Sequence, residues 1–290
     1  MSNMDEFFSR AHELLDRLES RLPENDMKSS LNTATANRWC KDNGRTHLQE
    51  VKHLSQIRLQ DLQCLDRQKD IITQNTRQFL HGLPANNVLL WGPRGTGKSS
   101  LIKAILNEYS DDGLRLIEVE RHHLVDLPDI AELLYQQKGR FIIYCDDLSF
   151  ESNDASYKAL KVILDGSVSD TPDNILIYAT SNRRHLMPEY MSENQQSQMI
   201  EGELHMSEAI EEKISLSERF GVWLSFHPFN QTQYLSIVNH WVQKLNANNK
   251  DTEVMQKAAL KWALEHGSRS GRVAWQFARD WAGKKQLAQL

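Results

Sequence analysis

Short, nearly continuous apolar runs alternate along much of the chain with segments in which apolar residues recur at helical spacing. The short runs predict strands at Val88–Trp91, Leu114–Val119, Phe141–Cys145, Ile175–Ala179 and Val222–Phe226. The segments with helical spacing predict helices at Gln68–Leu80, after Lys98, at Leu127–Gln137 and at Ala155–Leu164. Strands that are apolar on both faces need helices on both sides of their sheet, joined by right-handed crossovers. The pattern therefore predicts a three-layer α/β domain around a parallel sheet.

The two ends of the chain follow other patterns. No strand is predicted after Asn230, and three helices follow it, at Thr232–Leu245, Glu253–His266 and Val273–Ala282. Apolar residues in Asp5–Leu22 predict an amphipathic helix, and the polar stretch Glu24–Glu50, with Trp39 as its main apolar anchor, is interpreted as a connection. We therefore expect an N-terminal helix and connection over 1–59, an α/β domain over 60–230 and a small all-α lid domain over 231–290.

Composition and charge say little about the fold, but they restrict the class of protein. Apolar residues make up 40% and charged residues 25% of the 290 residues, as in ordinary globular domains. The first residues lack the features of a signal peptide, and no run approaches the roughly 18 apolar residues of a membrane span. Three cysteines without metal-type spacing favour a reducing, cytoplasmic compartment. A net charge of −5 argues against a protein that coats nucleic acid, although a local basic patch stays possible.

The clearest chemical signal follows the first predicted strand. Its residues fit the phosphate-binding pattern G-x-x-x-x-G-K-[ST] in full, and Ser100 comes next: Gly92, Pro93, Arg94, Gly95, Thr96, Gly97, Lys98 and Ser99. The glycines let the backbone curl so that its N–H groups point at phosphate oxygens, and the following helix adds its positive end. Lys98 would neutralise the β and γ phosphates, and the Ser99 hydroxyl would ligate Mg²⁺. The sequence therefore predicts a nucleotide site of the P-loop type.

Hydrolysis needs acids as well, and two follow the strand Phe141–Cys145 directly. An apolar strand that ends in two carboxylates is the Walker B pattern. The first acid, Asp146, would hold Mg²⁺, and the second, Asp147, would polarise the attacking water. Because aspartate is one methylene shorter than glutamate, its reach to the water is less certain, and Glu151 could take its place.

These motifs resemble those of the AAA+ ATPase superfamily, and the resemblance implies roles for later residues. Asn182, at the end of the strand Ile175–Ala179, resembles the residue called sensor 1, which orients the water near the γ phosphate; Ser181 and Thr180 are the alternatives. Arg219, in the segment SLSERFG, resembles an arginine finger that reaches the site of a neighbouring subunit. The alternative for Arg219 is a pair with an acid on its own surface. Arg272, which opens the last predicted helix, resembles sensor 2, with Arg269 in reserve.

A closer resemblance connects the chain to a group of bacterial AAA+ ATPases that carry a domain of unknown function. The phrases that carry it are PANNVLLWGPRGTGKSS, CDDLSFE, YATSNRRHL, SLSERFG and RSGRVAWQF. The resemblance covers roughly Gln60 to Ala282. It implies ATP and Mg²⁺ as cofactors, with Ser99 and Asp146 as metal ligands, and a homo-oligomer as the working form, but no biological substrate.

Three functions follow from these expectations. The first is an oligomeric, ring-forming ATPase that remodels a macromolecular partner. The second is a slowly hydrolysing, nucleotide-gated switch or loader, favoured by the short second acid and the lack of a recognisable pore motif. A small-molecule kinase is disfavoured, because Asn182, Arg219 and Arg272 have no evident purpose in one. The acidic charge slightly favours a protein as the partner, whereas Arg183 and Arg184 keep nucleic acid open, and no membrane partner is expected.

Overall fold

A computed structural model of the chain describes most residues beyond the first thirty. The described residues are 31, 33–42, 45–135, 137–150, 154–165, 172–183, 186, 199–200, 203–204, 216, 218–247 and 252–288. The predicted helix Asp5–Leu22 lies outside them, and so do Glu151, Arg184 and His185.

One seven-stranded sheet forms the centre of the molecule. Its strands are β1 (Ala36–Asp42), β2 (Arg45–Glu50), β3 (Val88–Trp91), β4 (Leu114–Glu118), β5 (Arg140–Cys145), β6 (Ile175–Ser181) and β9 (Val222–Ser225). Their spatial order is β2-β1-β4-β5-β6-β3-β9, and all neighbours are parallel except the pair β1 and β2. A separate two-stranded pair joins β7 (Met199–Ile200) and β8 (Glu203–Leu204). The five strands predicted from the sequence are thus confirmed as a parallel set.

The first two strands correct the sequence analysis. We interpreted Glu24–Glu50 as a connection, but residues 36–42 and 45–50 extend the sheet beyond β4, with Ala36 opposite Leu116. Trp39 is 3% exposed, and its indole Nε1 donates to a carboxylate oxygen of the buried Asp126 at 3.1 Å. These strands escaped prediction because they form one end of the sheet, with β2 as the edge strand and β1 beside it. Few of their positions are buried, so the apolar signal of an inner strand is missing.

Seven helices of the described chain surround the sheet. They are α1 (Asp66–Leu80), α2 (Lys98–Tyr109), α3 (Leu127–Tyr135), α4 (Ala155–Asp165), α5 (Gln231–Lys244), α6 (Thr252–Glu265) and α7 (Gly271–Leu287). All seven lie where the sequence predicts helices. Within this part of the chain, no helix combines the length and the apolar character needed to cross a membrane.

Two apolar clusters, one on each face of the sheet, fill the space between the layers. Successive residues of β3 point to opposite faces. Val88 and Leu90 belong to the cluster with α1 and α2, and Leu89 belongs to the cluster with α3 and α4. The first cluster also contains Tyr234 of α5 and Phe277 of α7. The three C-terminal helices therefore share a continuous core with α1 and α2, which sets them beside the carboxyl end of β3.

Candidate nucleotide site

The segment Gly92–Ser99 joins β3 to α2 at the carboxyl edge of the sheet, where α/β folds place their ligands. At Gly92 the loop lies so close to other backbone that a side chain is excluded. A Cβ added to Gly92, whose φ is 140°, would lie 2.1 Å from the carbonyl oxygen of Phe226. The loop can therefore turn back over the start of α2, which directs backbone N–H groups and the helix N-terminus into the same cleft.

Lys98 is held inside this loop. Its side chain is buried, and its ammonium Nζ donates to the carbonyl oxygens of Gly92 at 2.6 Å and Pro93 at 2.9 Å, and to the side-chain oxygen of Asn182 at 3.1 Å. Burial lowers the pKa of Lys98, while the carboxylates of Asp147 and Asp146 oppose the shift. The cation is thus fixed at the point where the loop and the end of β6 meet.

The two predicted metal ligands are in direct contact. The Ser99 hydroxyl donates to Oδ1 of Asp146 at 2.8 Å, and the Thr180 hydroxyl donates to the same oxygen at 2.5 Å. Burial alone would raise the pKa of Asp146, but the hydrogen bonds from Thr180 and Ser99 outweigh it and hold the pKa below its usual value. An ionised carboxylate beside a hydroxyl is a hard oxygen donor set, and few protein ligands suffice for Mg²⁺, which keeps several waters. These residues therefore fit a magnesium ion.

The second acid, Asp147, lies in a left-handed turn with φ 52°. Its backbone N–H donates to the Thr180 hydroxyl at 2.9 Å. Its carboxylate Oδ1 accepts a hydrogen bond from the side-chain amide of Asn182, and Oδ2 pairs with a guanidinium nitrogen of Arg94 at 3.2 Å. Both acids of the predicted Walker B pattern thus lie at the phosphate loop, and Thr180 connects the two.

The last helix closes another side of the loop. The N–H of Gly271 donates to the carbonyl oxygen of Gly95 at 2.8 Å, and the Ser270 hydroxyl caps α7 by accepting from the N–H of Val273. Arg272 lines the same cleft as Lys98, whereas Arg269 is exposed and not among the described residues that line it. The structure therefore brings Arg272, rather than Arg269, to the loop.

Arg219 lies elsewhere. Its guanidinium Nε forms an ion pair with a carboxylate oxygen of Asp165 at the end of α4, and Arg219 is not among the described cleft-lining residues. A residue that completes a neighbour's site would also lie outside its own cleft, so this position is compatible with both interpretations given above.

The cleft extends from the phosphate loop to a second half lined by both apolar and polar side chains, and its volume is about 820 Å³, within the range of small-molecule sites. This half is lined from opposite sides by Ile57 and Leu62, which precede α1, and by Trp241 and Trp275 of the C-terminal helices. It has the size and the aromatic lining suited to a nucleoside.

A buried acid joins the two sides of this half. The carboxylate Oδ1 of Asp61 accepts from the Lys244 ammonium at 2.5 Å and lies 3.3 Å from the Nε2 atom of His240, both on α5. Its Oδ2 accepts from the backbone N–H of Arg58 at 2.9 Å. Burial raises the pKa of Asp61, but these hydrogen bonds outweigh it and lower the pKa below its usual value. Sequence analysis did not find this contact, because its members are more than 170 residues apart.

Comparison with known proteins agrees with this geometry. The family model described as "Protein of unknown function (DUF815)" matches residues 32–285. The chain is similar to an AAA-ATPase of Arabidopsis thaliana, with 35% identity over 96 residues, which are 33% of this chain and 18% of that protein. It is also similar to the replication factor C large subunit of Sulfolobus acidocaldarius, with 31% identity over 114 residues, which are 37% of this chain and 26% of that protein. The matches thus span only a small part of these relatives.

Solved structures show the same fold. A RuvB mutant of Thermotoga maritima superposes with a TM-score of 0.51 at 13% identity, over 80% of this chain and 72% of that one. The ORC1 protein of Aeropyrum pernix, solved in complex with DNA, gives a TM-score of 0.50 at 16% identity, over 74% of this chain and 58% of that one. The predicted three-layer AAA+ fold is thereby confirmed.

Proposed function

The chain belongs to the family described as "Protein of unknown function (DUF815)", and we propose that it is an ATPase of the AAA+ type that binds and hydrolyses ATP with Mg²⁺. The observation that carries this proposal is the meeting of the phosphate loop with two acids. Lys98 lies within the loop, Ser99 contacts Asp146 at 2.8 Å, and Asp147 follows at the same sheet edge. A P-loop alone would bind a nucleotide, whereas the added acids provide for hydrolysis.

Each side chain then has a defined task. Lys98 and the loop N–H groups bind the β and γ phosphates, and Ser99 and Asp146 would hold Mg²⁺. When bound, Mg²⁺ neutralises charge on the phosphate oxygens. Asp147 orients the attacking water, and Asn182 contacts the γ phosphate. Arg272 contacts the phosphates from the side of α7.

We further propose a ring-shaped homo-oligomer in which Arg219 of one subunit completes the site of the next. An arginine supplied in this way adds about 10³–10⁵ in kcat in related phosphoryl transfers. The partner on which the oligomer acts is a macromolecule. The net charge of −5 favours a protein, and nucleic acid is the alternative.

The second candidate function is a slowly hydrolysing switch or loader, and one observation favours it. Each oxygen of the Asp147 carboxylate accepts a hydrogen bond, one from Arg94 and one from Asn182, and both contacts compete with the attacking water for this acid. Such a protein would bind ATP, change its affinity for a partner and turn over slowly.

The test separates binding from hydrolysis. Lys98→Ala is expected to lose ATP binding, measured with a fluorescent analogue, because the buried cation is removed. Asp147→Asn keeps the shape of the side chain and still binds ATP, but it is expected to lose about 10²-fold or more in phosphate release, since it cannot act as a base. Full turnover by Asp147→Asn would remove the role given to this acid, and unchanged binding by Lys98→Ala would refute the site itself.

A further inference from the structure

Each carboxylate oxygen of Asp147 contacts a side chain of the phosphate site. Oδ1 accepts from the Asn182 amide, and Oδ2 pairs with Nη2 of Arg94 at 3.2 Å. The backbone of Asp147 is fixed as well, by the left-handed turn and by the hydrogen bond to Thr180 at 2.9 Å. The carboxylate is therefore directed back over the phosphate loop by three separate contacts.

The groups that hold this carboxylate are those best placed to meet the last phosphate of a bound nucleotide. Asn182 touches Asp147 with its amide nitrogen and accepts from Lys98 with its amide oxygen at 3.1 Å. Arg94 belongs to the loop itself and lines the same cleft. Lys98, Asn182, Asp147 and Arg94 thus form one continuous chain of polar contacts around the place of the γ phosphate.

We propose that Arg94 is a positioning residue, which holds Asp147 away from the attacking water until a γ phosphate draws Arg94 and Asn182 to itself. The proposal rests on the proposed function, because it requires a nucleoside triphosphate in this cleft. It explains how the short acid at this position becomes available to a water only when a nucleoside triphosphate is bound. ATP opens the contact, whereas ADP, which lacks the γ phosphate, leaves it closed.

The ion pair between Arg94 and Asp147 is weak enough for a γ phosphate to displace it. The side chains of Arg94 and Asp147 are 76% and 51% exposed, and exposed ion pairs are weak because water and salt screen them. A doubly charged phosphate group nearby competes well for the guanidinium, which can bind phosphate through two parallel hydrogen bonds. A single γ phosphate can therefore break the ion pair between Arg94 and Asp147, and the pair can form again when that phosphate is gone.

A double-mutant cycle tests the proposal. Affinity for ADP and for a non-hydrolysable ATP analogue is measured with Mg²⁺ for wild type, Arg94→Ala, Asp147→Asn and the double variant. Because the Asp147 pair must break before the analogue binds, Asp147→Asn should bind the analogue about twofold to fivefold more tightly. The gain should vanish in the Arg94→Ala background, since no arginine is then released. ADP affinities should show no such coupling.

Lys103 offers a matched control, because it is a cation that lines the same cleft and makes no described contact with Asp147. A cycle of Lys103→Ala with Asp147→Asn should therefore show no coupling. The proposal is overturned if Asp147→Asn raises the affinity for the analogue equally with and without Arg94, or if ADP shows the same coupling. The loss of one negative charge near the phosphates would then explain the effect. If wild type binds neither nucleotide, the proposed function fails and this inference with it.

Discussion

The hydroxyl of Thr180 joins the two acids of the site, so its removal gives a sharp prediction. Thr180 is 1% exposed; its Oγ1 donates to Asp146 at 2.5 Å and accepts from the N–H of Asp147 at 2.9 Å. Valine has nearly the same shape but cannot form either bond. Loss of a bond to a charged group costs about 1.5–3 kcal/mol and of a neutral one about 1 kcal/mol. Thr180→Val should therefore lower the free energy of unfolding by about 2.5–4 kcal/mol.

Urea unfolding, followed by circular dichroism, measures this difference, and Thr180→Ser is the matched control. Serine keeps the hydroxyl and loses only one methyl group, so Thr180→Ser should cost clearly less than Thr180→Val. Phosphate release should also fall in the valine variant, because the backbone of Asp147 loses its fixed partner. If the valine variant unfolds within about 0.5 kcal/mol of wild type, or if serine costs as much as valine, the reasoning about this hydroxyl is wrong.

Two further predictions concern contacts with the C-terminal helices. Gly95 has a φ of 77°, and a Cβ added there would lie 2.9 Å from the Ser270 hydroxyl oxygen, whereas Gly113 has a φ of 91° and open space around it. Gly95→Ala should therefore lower the unfolding temperature more than Gly113→Ala does. Equal decreases would exclude a role for the contact with Ser270. Asp61→Asn should lower the free energy of unfolding by about 1–3 kcal/mol at pH 7. Because the folded pKa of Asp61 is lowered, this difference is present above the unfolded pKa of about 3.9 and should be lost as the pH falls through the lowered folded value. A difference that stays constant down to pH 3 would contradict the assignment.

The inner part of the fold could be predicted from the sequence because its signals are local. A strand buried on both faces is an apolar run, and the phosphate loop is a fixed pattern between such a strand and a helix. Lys98, Ser99 and Asp146 were therefore identified by their position after strand ends. The strands over 36–42 and 45–50, at one end of the sheet, were missed for the opposite reason, since partly exposed strands carry polar residues and resemble a connection.

The contacts that complete the site were less accessible, because they depend on distances between remote segments. Nothing in the sequence places Asp61 beside Lys244 or Ser270 beside Gly95, since only the packing of the C-terminal helices on the sheet brings them together. Thr180 was considered only as a reserve for Asn182, yet it contacts both acids. The pairing of Arg94 with Asp147 likewise joins residues 53 positions apart, and Asp147 lies at a positive φ that the sequence does not announce.

The most direct test of the central claim is Mg²⁺-dependent phosphate release per protomer, measured over a wide range of protein concentration with Lys98→Ala as the blank. The proposed oligomeric ATPase predicts a rate above the blank that rises with concentration and then saturates, because Arg219 completes a neighbour's site. No release above the blank at any concentration, although ATP binds, would contradict hydrolysis at this site and leave the nucleotide-gated switch as the function.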